Sequence, residues 1–122
     1  MSLILLTTSG CTDTDDRAAT AVAERFYAAI GSGDGAAACD LLAPRTRSEL
    51  EQSAGRPCED AILQEDVPRV SGSSRTQVFG KMGQVAFTDD TAFLAEFAGG
   101  WKVMAASCTP VTGHPYDCAV SG

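Results

Sequence analysis

The sequence contains one histidine, no CxxC pair and no HExxH, so the spacings that usually hold zinc are missing. Bases are scarce: nine lysines and arginines stand against sixteen acids, a net charge of −7. That balance disfavours a surface that works by neutralising phosphates, and with it a nucleic-acid binder. No apolar run approaches the roughly 18 residues of a spanning helix. There are no internal repeats and no low-complexity tracts. Neither a metal nor a cofactor is expected. What is present is the material of one globular domain: 122 residues, 44% hydrophobic and 20% charged.

The charge is unevenly placed. Residues 1–66 hold twelve acids and five bases, whereas residues 67–122 hold four of each. The first half reads as helical and the second as sheet. Solvated helix faces account for the acids, and an acidic surface awaiting a basic partner is the sharper alternative.

In the first half, Ala18, Val22, Phe26 and Ile30 recur at i+4 with Ala19, Ala23 and Tyr27 beside them, which predicts a helix from about Asp15 to Ile30. Asp13 or Thr14 is the expected N-cap and Gly31 the expected left-handed stop. Asp34 is placed to cap a second, shorter helix through Leu42, closed by Pro44. Thr46 and Glu49 have the spacing of a capping box, opening a helix that ends at Gly55. Cys58–Gln64 reads as one further short helix.

After Pro68 the period changes to that of strands. Val78–Phe79, Val85–Thr88, Thr91–Phe97, Trp101–Cys108 and Tyr116–Val120 are short runs bounded by turn residues. Asp89-Asp90 and Gly99-Gly100 are the expected two-residue hairpin turns. The predicted register pairs Thr88 with Thr91 and Ala98 with Trp101. One face then carries Val85, Phe87, Ala92, Leu94, Glu96, Trp101, Val103 and Ala105. The other carries Ala86, Phe93, Ala95, Phe97, Lys102, Met104 and Ala106. Helices followed by an antiparallel meander make an α+β fold, with the helices packed on one face of a curved sheet.

The opening residues Leu3-Ile4-Leu5-Leu6, then Ser9-Gly10-Cys11, resemble the end of a bacterial lipoprotein signal, with Thr8 in the place usually held by Leu. In such signals the cysteine after the small residues is acylated and becomes the mature N-terminus. The resemblance implies that Cys11 is lipidated and that the domain is secreted and anchored to the bacterial cell membrane. With no basic residues before it, the apolar run reads as the remnant of a longer signal. The alternative is an ordinary strand or first helical turn at 3–6, with Cys11 a buried thiol. Stable anchoring takes more than one acyl chain. Cysteine parity agrees: five cysteines leave one over, and Cys11 stands apart. Residues 1–13 are therefore read as signal remnant and tether, and residues 14–122 as the domain.

One long N-terminal helix, short helices bearing a cysteine pair, and a meander containing Gly99-Gly100-Trp101-Lys102-Val103 resemble the nuclear-transport-factor-two-like, or cystatin-like, cone superfamily. The last strands look like those of its small secreted actinobacterial members, here Gly100-Trp101-Lys102-Val103, Cys108 and Pro115-Tyr116-Asp117-Cys118. The resemblance implies a cone with a concave pocket, frequent dimerisation through the sheet, and functions from isomerases and dehydratases to non-catalytic binding modules.

Four cysteines allow three pairings. The local one, Cys39–Cys58 with Cys108–Cys118, is expected. It leaves the domain no thiol for nucleophilic catalysis. The carboxylates and phenol considered for acid–base work are Tyr27, Asp40, Glu96 and Asp117, with His114 the lone imidazole in a turn. Tyr27, Glu96 and Trp101 are the candidate pocket residues. Glu96 lies among apolar neighbours in the predicted register; the blander reading sends it to solvent at the strand end. Tyr27 and Trp101 could line a cavity, but aromatic residues at these periods are more often core, and that is the reading taken. No catalytic residue is assigned. The expected function is an extracytoplasmic, lipid-anchored, non-catalytic binding or interaction domain. The alternative is a small isomerase- or dehydratase-like enzyme acting on an apolar ligand in the cone pocket. Phe93, Phe97 and Met104, with alanines between them, are expected to form a homodimer face. The competing cover for that face is residues 3–6 or a tail of the same chain.

Overall fold

The structure, a computed structural model, describes the backbone of residues 11–122 and the side chains of residues 14–113 and 116–122. The apolar run at 3–6 and Ser9-Gly10 lie outside the described residues, as do the side chains of Cys11 and His114. Among the described residues four helices precede five strands: α1 (Cys11–Gly31), α2 (Gly35–Asp40), α3 (Pro44–Ala54), α4 (Cys58–Gln64), β1 (Arg75–Phe79), β2 (Met82–Ala86), β3 (Thr91–Phe97), β4 (Gly100–Val111) and β5 (His114–Ser121). The strands form one antiparallel sheet in chain order, curved and unclosed, with the helices on one face. This is the expected α+β class.

The core forms between α1 and the inner face of the sheet. Ala19, Val22, Ala23, Phe26 and Tyr27 of α1 are buried against Val85, Ala92, Leu94, Trp101 and Val103. Small residues bring the layers close. A Cβ on Gly83 would stand 3.2 Å from the Trp101 ring and 3.7 Å from Ala19 Cβ. At the α2–α4 contact a Cβ on Gly35 would overlap the Glu59 carbonyl oxygen, so that position requires glycine. The Cys39–Cys58 disulfide ties the same two helices, and Cys108–Cys118 joins directly facing residues of β4 and β5. Both expected pairings are present.

Several local expectations are corrected. The chain is already helical at Cys11, so Asp13 and Thr14 lie inside α1 rather than at its cap. Its left-handed stop is Gly33, at φ 77°, not Gly31. The Thr46–Glu49 capping box does not form. Leu41–Ala43 is drawn into pairing with β4, Val103 donating its N–H to Leu41 O and accepting from Ala43 N. The next helix therefore starts at once, with Pro44 in its first turn. Thr46 instead lies buried within α3 and donates through Oγ1 to Met104 O at 2.9 Å.

Both hairpin turns fall one residue earlier than expected. Ala86 pairs with Thr91 and Phe87 N donates to Asp90 O, leaving Thr88-Asp89 as the turn. Phe97 pairs with Gly100, which leaves Ala98-Gly99. Each pairing is displaced by two residues, so the side chains keep their predicted faces. The exception is beyond Val103. The register shifts there between Phe93 and Leu94, Met104 becomes the extra residue on β4, and Ala105 and Ala106 exchange faces. Ala106 is buried in the core and Ala105 faces Phe93 on the outer side.

Candidate functional site

The earlier turn gives Asp90 a different role from that of a turn residue. It shares the inward parity of Ala92 and Leu94, and it is buried. Its carboxylate is encircled by donors. Oδ1 accepts from Cys108 N at 3.0 Å, while Oδ2 accepts from Ser107 N at 2.8 Å and from the Tyr27 hydroxyl at 2.5 Å. Two backbone N–H groups and a phenol thus share one charge beneath the sheet.

Each partner is placed by a different element. Tyr27 comes from the last turns of α1, where its ring meets the edges of Phe26 and Phe87 at 5.5 and 5.3 Å. Ser107 sits on β4 at φ 55°, the one positive φ outside glycine among the described residues. A side chain in that region costs about 1–2 kcal/mol. The Asp90 carboxylate on its N–H and the Asp66 carbonyl on its Oγ, at 2.8 Å, hold it there. The phenol of Tyr27 is held protonated far above its ordinary range, first by burial, then by its hydrogen bond to Asp90 and by the carboxylate's charge.

Beside this cluster a shallow cleft of about 530 Å³ opens between α1 and the loop before β1. Glu24, Tyr27, Ala28, Arg69, Val70 and Phe87 line it. Arg69 Nη2 donates to Gly31 O across it at 3.3 Å. Tyr27 contributes a buried wall, since its hydroxyl points to Asp90.

The candidate pocket residues are not gathered in this cleft. Glu96 and Trp101 are cross-strand partners at the other end of the sheet. Trp101 is buried against Gly83, and Glu96 is exposed to solvent. Ala19, next to Gly83, lies eight residues before Tyr27, about 12 Å along the helix. Asp40 is exposed at the end of α2, 3.8 Å from Arg47. Asp117 is exposed on β5.

Asp90 is the residue that sequence reasoning missed. The signal was its parity: moving the turn by one residue puts it on the face of Ala92 and Leu94. Among the described residues no group of three or more histidines, cysteines or acids could hold a metal ion. No helix among them is long and apolar enough to cross a membrane. The two disulfides fit an oxidising compartment outside the cytoplasm. No protein-family model, curated protein or solved structure matches the chain.

Proposed function

We propose that this protein is a lipid-anchored domain outside the cytoplasm that binds or docks through its surface and carries out no catalysis. The observation that supports this most is the state of Asp90. A general base must offer a lone pair to a substrate proton. Asp90 gives its oxygens to Ser107 N, Cys108 N and Tyr27 Oη, so its charge stabilises backbone instead. Glu96 has solvent rather than an apolar pocket around it. An isomerase-like reading requires such a carboxylate facing an apolar ligand, with a donor such as Tyr27 nearby.

The anchor rests on Ser9-Gly10-Cys11 and on cysteine parity, since the four other cysteines are paired with one another. The cone-superfamily resemblance is compatible with helices on one face of an unclosed sheet, and non-catalytic binding modules are among its functions. Mass spectrometry of the gene product from its native host tests the anchor. A mature chain beginning at an acylated Cys11 is the expected result, and an unmodified Cys11 within a longer chain overturns it.

A further inference from the structure

Three large apolar side chains stand out from the surface at one end of the sheet. Phe79 is 69% exposed, Met82 50% and Phe97 41%. Phe79 and Met82 face each other across the β1–β2 turn, and Met82 pairs with Ala95, two residues before Phe97. All three share the outer face. Lys81 projects from the turn between the first two, and its carbonyl accepts from Glu96 N at 2.8 Å, which ties the two hairpin ends together.

The direction of α1 relative to this end follows from its contacts. Ala19 packs by Gly83, and Tyr27 packs by Phe87. Eight helical residues rise about 12 Å and four strand residues about 13 Å, so α1 runs alongside β2 in the same direction. Tracing α1 back from Ala19 to Cys11 covers a further eight residues, about 12 Å. That takes the start of the helix towards and past the β1–β2 turn. Cys11, the residue read as the lipid anchor, therefore lies in α1 at the same end of the molecule as Phe79, Met82 and Phe97.

We infer that this end is a membrane-docking tip, which seats Phe79, Met82 and Phe97 in the headgroup region of a phospholipid bilayer once Cys11 is attached there. The inference rests on the anchor reading for its biology and on the exposed side chains for its chemistry. Aromatic and methionine side chains that would cost free energy in water gain it at the acyl boundary, a depth of about 5–10 Å. Lys81 can reach phosphate. Arg17 with Asp15 and Asp16 in the first turns of α1 leave this end, Lys81 included, without a strong net charge, so apolar insertion drives docking and anionic lipid adds little. A second copy of the chain is the rival occupant. The outer face towards its centre is less suited to one, because Phe93 is only half exposed and is covered edge-on by Tyr116 at 5.1 Å.

The test uses the full unlipidated chain, coupled through Cys11 to phosphatidylcholine vesicles carrying a maleimide headgroup, so it does not depend on native lipidation. Hydrogen exchange of residues 79–83 and 96–100 should slow about tenfold on tethering. The Thr88-Asp89 turn at the opposite end should be unchanged. The double variant Phe79→Glu, Phe97→Glu should couple equally well and lose the protection. Equal exchange in tethered and free protein overturns the tip. Protection that needs phosphatidylglycerol and disappears in salt overturns apolar insertion. Protection that rises with protein concentration without vesicles assigns the face to a second copy. An unmodified Cys11 in the native host, by contrast, would overturn the anchor while leaving the vesicle result standing.

Discussion

At one end of the sheet Asp90, Tyr27, Ser107 and Cys108 form a buried polar cluster in which every hydrogen-bonding oxygen of the carboxylate has a donor. At the other end Phe79, Met82 and Phe97 lie open to solvent. The two ends share the same strands and the same helix. The first fixes a strained backbone position and closes the interior, while the second leaves apolar area without a partner inside the fold. In a domain of this size, closing the interior with a charge requires complete hydrogen bonding, because a half-satisfied buried carboxylate destabilises more than an apolar residue would. An exposed aromatic costs far less, so surface is where function is most cheaply placed.

Removing the charge at the closed end should have the largest effect. Asp90→Ala leaves two amides and a phenol without an acceptor, and we expect a loss of about 4 kcal/mol in chemical denaturation. A loss below 1 kcal/mol would mean water replaces the carboxylate and the end is not closed. Next comes the disulfide beside it. Replacing Cys108 and Cys118 by alanine should cost about 3 kcal/mol, the chain-entropy value for a loop of this length. An unchanged urea midpoint would contradict that.

Tyr27→Phe removes one of three donors and should cost about 1 kcal/mol at neutral pH. It also changes the pH dependence. The folded-state value of Tyr27 is raised above its ordinary 10.0, so its stabilisation is fully present below that pH. As pH rises past the unfolded value the unfolded chain releases a proton that the folded chain keeps. Stability should then fall by about 1.4 kcal/mol per pH unit through this one group. The Phe variant should lose that component of the slope, and a slope identical in both proteins would show that Tyr27 ionises in the fold. The smallest effect belongs to the open end. Phe79→Glu with Phe97→Glu should move stability by no more than about 0.5 kcal/mol, since neither ring is buried. A larger loss would place these rings in the core.

The difference between the ends also decided what could be read from the sequence. The open end was legible only in part: strand alternation placed Phe97 on the outer face, whereas Phe93 and Met104, expected beside it, are half-buried, and Phe79 and Met82 are the more exposed side chains. A hairpin misplaced by one residue moves the pairing by two, so alternation survives the error. Helix periodicity likewise found Phe26 and Tyr27, and the local disulfide pairing needed only proximity in the chain. The closed end was hidden because its parts are non-local. Asp89 and Asp90 are chemically identical in the sequence, and which of them shares the inward parity depends on a one-residue choice of turn, settled with partners as distant as Tyr27, 63 residues away, and Ser107 and Cys108. The Thr46 capping box failed for a similar reason, as β4 captured Leu41–Ala43 and the helix began earlier. The bulge at Met104, which exchanges Ala105 and Ala106, has no local signature either.

Native-state hydrogen exchange at Ser107 and Cys108 tests the closed end most directly. Their amide protons point at the Asp90 carboxylate, so they should exchange only through global unfolding, with the free energy that urea denaturation reports. Fast exchange at both, well below that free energy, would mean that the cluster opens to the cleft beside Tyr27 and that Asp90 is free to meet a ligand.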